Sequence, residues 1–518
     1  MRSHPKNRQH RRFRRGWLAV LAVLTALLCI VMPPLVTGAI ASVSIAQTQV
    51  QTQDSESLEQ QGRAAYETGD YSAAVEAFQR AASDYAAQGQ PWQQAIALAN
   101  LSLSYQQLGQ WSEAAAAIES ALELVPAVVD APPALWASRG KVLSVQGQLL
   151  DAQGNTSEAE RVWIDAATAY DKAGQPRQKV QVQLNQARML LTAGFYSRAL
   201  TLVETALTEQ PNDAVTVDAL RLHGDLLRLT GDREKAAEQL DQALKLAQTA
   251  DPTAVSQIHI SLGTLAEANN NQDVALENYR LAAATSDSQP RLSAQVNQLQ
   301  LLVNQEDWAA IASLLPPLMD QLQAQPPNRE TIYTRITVGQ TLLNLRQAVD
   351  DALDKVPPAA APPSTVPDDS VSTTEVPDDA VPVAVVPAAT VDDLLILVNE
   401  LPSGDAIATL LLETYAAAQQ LGDVRAQTYA LSTLGQLYMQ TQQWKVAKQQ
   451  TLTALSLAQG AGLVEIEYQL QAQLCQILQN PDAAGSGDEA ISACRAAVDN
   501  ANLLREDLAA KGSDASFN

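Results

Sequence analysis

Two histidines are the side chains of this chain best suited to acid–base or metal chemistry. The sequence holds four histidines, and His223 and His259 are the two that lie beyond the first 46 residues. Neither has a cysteine or a second histidine at metal-binding spacing, and no Gly-rich phosphate loop, nucleophile elbow or Cys-x-x-Cys motif occurs. We therefore predict no enzyme active site, no metal and no cofactor, and we interpret both histidines as packing residues.

Paired carboxylates are the other pattern that could support acid–base chemistry. Asp368 with Asp369 and Asp378 with Asp379 form two such pairs. Both pairs lie in a proline-rich stretch without helical or strand periodicity. We interpret them as solvated charges of a linker, not as catalytic groups.

A local signature that recurs along the chain predicts the elements that position all these residues. A turn residue stands five positions before an alanine in six places: Gly69/Ala74, Gly109/Ala114, Gly154/Ala159, Gly194/Ala199, Gly231/Ala236 and Asn270/Ala275. The alanines are about 37 to 45 residues apart, a period typical of stacked supersecondary units. The recurrence predicts a solenoid of helical hairpins.

Residues 101–126 show how one unit should fold. Leu101 and Tyr105 follow helical spacing on a first helix, which Gly109 ends because glycine enters the left-handed C-cap conformation without strain. A second helix opens at Trp111, and Pro126 stops it. Such a hairpin cannot bury its apolar face alone, so neighbouring hairpins must stack.

This pattern resembles the tetratricopeptide repeat. The first unit matches the signature of that family at Gly62, Gly69, Asp70, Tyr71, Ala74, Phe78 and Ala81. A late unit matches it again at Leu434, Gly435, Tyr438, Trp444, Ala447 and Ala454. The resemblance implies an all-α solenoid of helical hairpins wound into a right-handed superhelix, and it implies a protein or peptide partner.

The family usually binds its ligands in the concave groove formed by the first helices. The positions that match its groove hold Arg63, Tyr66, Gln106, Arg188, Arg221 and Arg228. Four arginines in an acidic chain suggest that the groove holds the carboxylates of an acidic or C-terminal peptide. The alternative is that these arginines pair with nearby Asp or Glu residues of the same chain.

The resemblance also brings two cysteines together. Cys475 and Cys494 take the positions at which two aromatic side chains of a standard unit pack across the hairpin. Two outcomes stay open: a disulfide that staples the last hairpin, or two buried thiols.

Charge and hydropathy predict where the repeats reside. Residues 1–15 hold seven Lys or Arg and no acid, and residues 16–53 hold no charge at all. This pattern indicates an export signal, cleaved after Ala46, or an uncleaved membrane anchor over residues 17–46. Either interpretation predicts an exported protein of the periplasm or cell envelope. Without the seven cations, 27 basic residues face 57 acidic ones, which argues against nucleic acid as a partner.

A stretch rich in Pro, Asp and Val divides the repeats. The tetrapeptide Val-Pro-Asp-Asp occurs in it at Val366 and again at Val376, and residues 356–390 hold eight prolines. We predict a disordered insertion between the two helices of one repeat, with a first helix over 331–355, a second over 405–420, and a short helix capped by Asp392. The insertion could be a surface loop, a docking segment or a flexible joint.

Residues 405–460 and 489–508 further resemble the repeat region that precedes the caspase-like CHAT domain of exported cyanobacterial proteins. The sequence ends at Asn518 without the residues of such a domain. Two functions follow: an exported interaction scaffold, or the regulatory half of a CHAT peptidase that is encoded separately or lost. The predicted organisation is a signal or anchor (1–46), a linker (47–56), a solenoid (57–355), the insertion (356–392), C-terminal repeats (393–510) and a tail (511–518).

Overall fold

A computed structural model describes residues 54–208, 214–325, 328–355 and 388–514. The predicted signal or anchor and most of the predicted insertion lie outside these ranges. Within them the chain forms 21 α-helices and no strand, which confirms the all-α solenoid. The first helix, α1, covers residues 54–67, so residues 54–56 of the predicted linker are helical.

The next nine helices build the N-terminal hairpins. They are α2 (Tyr71–Ala87), α3 (Pro91–Gln107), α4 (Trp111–Leu124), α5 (Pro133–Ala152), α6 (Thr156–Lys172), α7 (Pro176–Thr192), α8 (Tyr196–Thr208), α9 (Ala214–Thr230) and α10 (Arg233–Ala250).

Eleven further helices complete the described chain. They are α11 (Val255–Ala268), α12 (Gln272–Ala283), α13 (Ser288–Gln305), α14 (Trp308–Ala324), α15 (Arg329–Asp354), α16 (Ala388–Glu400), α17 (Gly404–Gln420), α18 (Val424–Gln440), α19 (Trp444–Ala461), α20 (Val464–Gln479) and α21 (Gly487–Asp514). The first helices of the hairpins are the odd-numbered helices from α1 to α15, then α18 and α20.

The turn signature in the sequence has the backbone geometry that it predicts. All six turn residues have a positive φ, from 56° at Asn270 to 99° at Gly231. The six alanines that follow are fully buried. Because glycine reaches positive φ without a side-chain clash, it closes each first helix and lets the alanine of the second helix pack against it.

A second glycine lies inside several first helices, where a large side chain of the second helix covers it. A Cβ added to Gly263 would lie 2.4 Å from Cε1 of Tyr279, and one added to Gly147 would lie 2.4 Å from Nε1 of Trp163. Tyr279 and Trp163 are both buried. These glycines therefore set the close approach of the two helices within a hairpin.

Helix α15 pairs with α17, although the chain between them is long. Leu411 of α17 packs on Gly339 of α15, so close that a Cβ at Gly339 would lie 2.7 Å from Leu411 Cδ2. The two helices predicted on either side of the insertion therefore meet as one hairpin.

Helix α16 lies between these two helices in the sequence. It buries Leu394 and Leu397 and packs mainly on α14. Asp392 was expected to cap a short helix, but it lies inside the helix Ala388–Glu400 instead. The short helix predicted after Asp392 is therefore present, but Asp392 does not cap it, because the helix already begins at Ala388.

The solenoid winds far enough for late hairpins to contact early ones. A Cβ at Gly109 would lie 2.5 Å from Cα of Leu421, and one at Gly422 would lie 2.2 Å from Nε1 of Trp111. Helix α21 also touches α8. The second turn of the superhelix therefore packs edge to edge against the first turn.

A carboxylate is buried at this junction. Asp423 accepts hydrogen bonds from Arg329 Nε at 2.8 Å and from the Tyr333 hydroxyl at 3.1 Å. It also accepts the backbone N–H of Ala426 at 2.9 Å. The ion pair therefore joins the starts of α15 and α18, two neighbouring first helices, beside the junction.

Further charged groups lie near the same junction. Nη1 of Arg425 lies 3.4 Å from the carbonyl oxygen of Thr192. Burial raises the pKa of Asp151, and the nearby Arg425 and Arg329 partly oppose that rise. Charges from both turns of the coil thus influence one another there.

No single helix in the described ranges has both the length and the apolar composition to cross a membrane. The segments Asp392–Glu400 and Gly404–Gln420 meet those criteria only as a pair, bent by 44°.

Candidate functional site

The two histidines pack within their own hairpins. Nδ1 of His223 lies 3.1 Å from Oε1 of Gln239, and Nδ1 of His259 lies 2.9 Å from Oδ1 of Asn278. Each partner belongs to the second helix of the same hairpin. Across the described residues no three His, Cys, Asp or Glu side chains converge as a metal site would require.

The six predicted groove residues all lie on first helices, and five of them have a hydrogen-bond or ion-pair partner within the chain. Arg63 pairs with Glu59 one helical turn earlier at 3.3 Å. The Tyr66 hydroxyl accepts a hydrogen bond from Gln107 at 3.1 Å. The third residue, Gln106, is buried, and its amide donates to the Ser102 hydroxyl. These three side chains are engaged within the first two hairpins.

Arg188 and Arg221 also find partners within the chain. Both hold Asp218: Arg188 reaches it from the neighbouring first helix, and Arg221 Nη2 lies 3.1 Å from its Oδ1. Nη1 of Arg221 also lies 3.2 Å from Oδ2 of Asp225. The same oxygen of Asp225 accepts a hydrogen bond from the Ser261 hydroxyl at 3.1 Å. An ionic ladder therefore joins α7, α9 and α11. This ladder agrees with the alternative interpretation, in which Asp or Glu residues of the same chain neutralise the arginines.

The carboxylates of the ladder differ in proton affinity. Burial alone would raise the pKa of Asp218, but Arg188 and Arg221 outweigh it and hold that pKa below its ordinary value. Burial dominates at Asp225 and raises its pKa despite Arg221. The charged form of Asp218, paired with its two arginines, therefore stabilises the folded chain at neutral pH.

Arg228 is the predicted groove arginine with an unused donor. Its Nε is buried and has no hydrogen-bond partner among the described residues. Asp225 and Tyr279 are close enough for the charge of Arg228 to affect their pKa values. The groove prediction for Arg228 therefore stays a prediction.

The C-terminal half offers a different surface, which the sequence analysis missed. A cleft of about 390 Å³ opens between α13 and α15, and its lining includes Ser293, Asn297, Tyr333 and Thr337. A second cleft of about 510 Å³ opens between α15, α18 and α20. Both clefts are lined by first helices alone, and no described lining residue of either is charged.

The second cleft, here called the amide cleft, is dominated by one chemical group. Seven of its lining residues carry side-chain amides: Gln340, Asn344, Gln436, Gln440, Gln469, Gln473 and Gln476. Met439, Tyr468 and Ala472 supply the rest of its wall. The signal in the sequence was the set of glutamines on three first helices. Uncharged amides indicate a binding site less specifically than arginines do.

Gln473 forms the floor of the amide cleft. Its Nε2 donates to Thr451 Oγ1 (2.9 Å) and to the carbonyl of Ser432 (3.2 Å). Gly435 makes room for it, since a Cβ there would lie 2.3 Å from Gln473 Nε2. By contrast, Oε1 of Gln436 is buried without a hydrogen-bond partner among the described residues. The floor of the cleft is therefore fixed by hydrogen bonds within the protein.

A third cavity is lined mainly by the second helices α14 and α17, together with Arg335 and Leu342 of α15. It has a volume of about 590 Å³ and lies between α14, α15 and α17, with Leu315, Met319 and Leu410 in its apolar wall. Arg335 at its edge donates to the carbonyl of Gln325 at 3.2 Å. This cavity is separate from the clefts of the first helices.

Cys475 and Cys494 form a disulfide in the last hairpin. Their Cα atoms are 5.0 Å apart, and they join α20 to α21. The hairpin has a neighbour on one side within the described chain, so the crosslink lies where a solenoid is most prone to fray.

Residues 59–128 and 145–214 match the tetratricopeptide repeat family. No curated protein matches the sequence. Among solved structures, BtubC from P. vanneervenii is 20% identical over 43% of this chain and 89% of its own, with a TM-score of 0.35.

Two larger solved structures are also similar. A Rap protein complexed with competence and sporulation factor is 11% identical over 76% of this chain and 99% of its own, with a TM-score of 0.42. The IFIT1 monomeric mutant with Gppp-AAAA is 13% identical over 80% of each chain, with a TM-score of 0.43. At TM-scores below 0.5 these similarities carry no functional information.

Proposed function

We propose that this chain, an interaction scaffold built from tetratricopeptide repeats, binds a protein partner through an extended peptide segment held against its first helices. One observation carries this proposal: two uncharged clefts lie next to each other along α13, α15, α18 and α20, and α15 lines both. Consecutive clefts on stacked helices suit a ligand that is long and thin.

The charge distribution supports the C-terminal half as the binding surface. In the N-terminal half, Arg188 and Arg221 are neutralised by Asp218 and Asp225, so they would have to break ion pairs before holding a ligand carboxylate. The C-terminal clefts require no such exchange. Binding there relies on hydrogen bonds and packing.

A displayed library of random dodecamer peptides tests the function. Selection against the repeat region should enrich a family of sequences, and synthetic versions should bind with micromolar affinity or better. Bound peptide carrying a photo-crosslinker should label α13, α15, α18 or α20. If selection enriches no peptide, or if labels fall on the second helices, the proposal is wrong.

We also propose that the protein is exported, with its repeats outside the cytoplasm. The basic run followed by the uncharged stretch from residue 16 to residue 53 supports this, and so does the disulfide, which persists in oxidising compartments. Fusing alkaline phosphatase after residue 518 tests it, since that enzyme is active only after export. An inactive fusion with an active cytoplasmic reporter at the same position would contradict it.

The regulatory alternative makes a distinct prediction about the partner. If the chain serves a separately encoded caspase-like peptidase, the selected peptide should occur in that peptidase. Its occurrence in several unrelated envelope proteins would favour a general scaffold.

A further inference from the structure

We infer that the cavity between α14, α15 and α17, here called the acidic cavity, is a second docking site. The partner segment that it takes carries large apolar side chains flanked by Lys or Arg. This inference goes beyond the proposed function, because the acidic cavity lies apart from the clefts of the first helices. Its volume of about 590 Å³ is within the range typical of ligand sites in proteins.

The wall of the acidic cavity is apolar, and α14 is irregular where it forms that wall. Pro316 and Pro317 lie inside α14, and Pro316 lines the cavity. An interior proline has no N–H for the carbonyl four residues earlier, and it usually bends the helix. Leu315, Met319 and Leu410 supply further apolar contact. The cavity is therefore suited to hold a large apolar side chain of a partner.

The apolar surface continues from the acidic cavity onto α16. Glu400 lines the cavity, and Ile396 lies one helical turn before it on the same face of α16. Ile396 is 56% exposed and Leu395 is 51% exposed, whereas Leu394 and Leu397 are buried. A partner segment can therefore contact the cavity and the exposed apolar side chains of α16 together.

Three carboxylates set the charge that the partner must carry. Asp320, Glu400 and Glu413 line the acidic cavity, are exposed, and form no ion pair with another described residue. Arg335 is the one cation of the described lining, and it donates to the carbonyl of Gln325. The excess of negative charge favours Lys or Arg beside the apolar side chains, because complementary charges steer association and disfavour wrong partners.

The charge of the chain argues against an occupant from the protein itself. Beyond residue 15 the chain holds 27 basic and 57 acidic residues, so a second copy would bring like charge to the acidic cavity. Residues 356–387 hold five acidic residues and no Lys or Arg, which disfavours that segment in the same way. The basic run at residues 1–15 would stay on the other side of the membrane under the proposed export. The occupant is therefore a separate protein with a basic and apolar segment.

A displayed library of random dodecamers tests the inference with a variant that fills the cavity. Peptides are selected on the wild type after depletion on Thr409→Trp, which places a large side chain at an exposed lining position of α17. Ala416→Trp, exposed on α17 and outside the cavity, is the matched control. The selection for the proposed function is run on Thr409→Trp, so that the peptides of the two sites are separated. Helical content and thermal midpoint are measured for every variant.

The surviving peptides should combine Trp, Phe, Leu or Met with several Lys or Arg. One of them, labelled with fluorescein, should bind the wild type and Ala416→Trp equally and Thr409→Trp at least about tenfold more weakly. Glu413→Gln should weaken binding about three- to fivefold, whereas Asp405→Asn, on α17 outside the cavity, should hardly change it. Raising the NaCl concentration about tenfold should also weaken binding, because charges take part.

Four results would overturn the inference. The first is that no peptide is enriched after depletion, and the second is an enriched family without Lys or Arg. The third is equal affinity of the labelled peptide for the wild type and Thr409→Trp. The fourth is self-association of the wild type that Thr409→Trp abolishes, which would make a second copy the occupant. None of these results concerns the peptides selected on Thr409→Trp, so the proposed function stands or fails separately.

Discussion

Arg329 and Asp423 form an ion pair at the point where the second turn of the coil meets the first. Arg329 Nε lies 2.8 Å from Asp423 Oδ2, and the Asp423 side chain is 1% exposed whereas that of Arg329 is 35% exposed. Asp423 also accepts the backbone N–H of Ala426 at the start of α18. One carboxylate therefore both caps the start of α18 and joins it to α15.

Replacing this carboxylate should loosen the contact between α15 and α18. Asp423→Asn keeps the cap on α18 but leaves Arg329 without its counter-charge, so we expect a loss of about 1 to 3 kcal/mol, less than for a fully buried pair because Arg329 is partly exposed. Hydrogen exchange should accelerate in α15 and α18. Asp405→Asn, at an exposed position of α17, is the control, and equal effects of the two variants would contradict this role.

Glycines under large side chains should resist substitution. Gly263→Ala places a Cβ against Tyr279, so we expect the thermal midpoint to fall with a stability loss of about 1 to 3 kcal/mol. Gly460 lies in α19 with open space around it, so Gly460→Ala should stabilise by up to about 1 kcal/mol. Calorimetry on both variants checks the sign, and a stabilising Gly263→Ala would refute the packing argument.

The ionic ladder should make stability depend on pH. The folded-state pKa of Asp218 is held below the unfolded value of about 3.9, so its charged form stabilises the fold above that pH. The advantage of the wild type over Asp218→Asn should be full near neutral pH and vanish as the pH falls through the folded-state pKa. Urea unfolding at several pH values measures it.

An exposed carboxylate on the same hairpin gives the control for that series. Asp241 lies on α10 and is exposed. Asp241→Asn should therefore change stability little. An Asp218→Asn effect that grows toward acid pH would have the opposite sign to the one that the ion pairs require.

Breaking the disulfide should loosen the last hairpin alone. A crosslink over a sequence separation of 19 residues stabilises by roughly 3 kcal/mol in chain-entropy terms. The double variant Cys475→Ser and Cys494→Ser should expose α20 and α21 to limited proteolysis while α1 to α14 stay protected. Mass spectrometry of the fragments locates the cleavage sites. Cleavage unchanged from the wild type would show that packing alone holds the last hairpin.

The repeat architecture could be predicted from the sequence because its signals are local. Gly69 and Ala74 are five positions apart, and the turn and the buried contact that they predict form within one hairpin. The contact of Gly109 with Leu421 has no such signal. It depends on the small rotation that each hairpin adds, summed over most of the chain.

The site was predicted less well, and the reason is chemical. Arg221 stands three residues after Asp218 and four before Asp225, so helical spacing already favours these local partners, whereas the approach of Arg188 to Asp218 from a neighbouring first helix could not be read from the sequence. The amide cleft depends on three first helices from different hairpins. Its chemistry is visible only once α15, α18 and α20 are adjacent.

The most direct test of the account is a hydrogen-exchange footprint of a selected peptide on the full chain. If the first helices of the C-terminal half hold the peptide, protection should concentrate in α13, α15, α18 and α20. Protection confined to the second helices, or to the arginine ladder of α7, α9 and α11, would contradict the claim that this uncharged surface binds the partner.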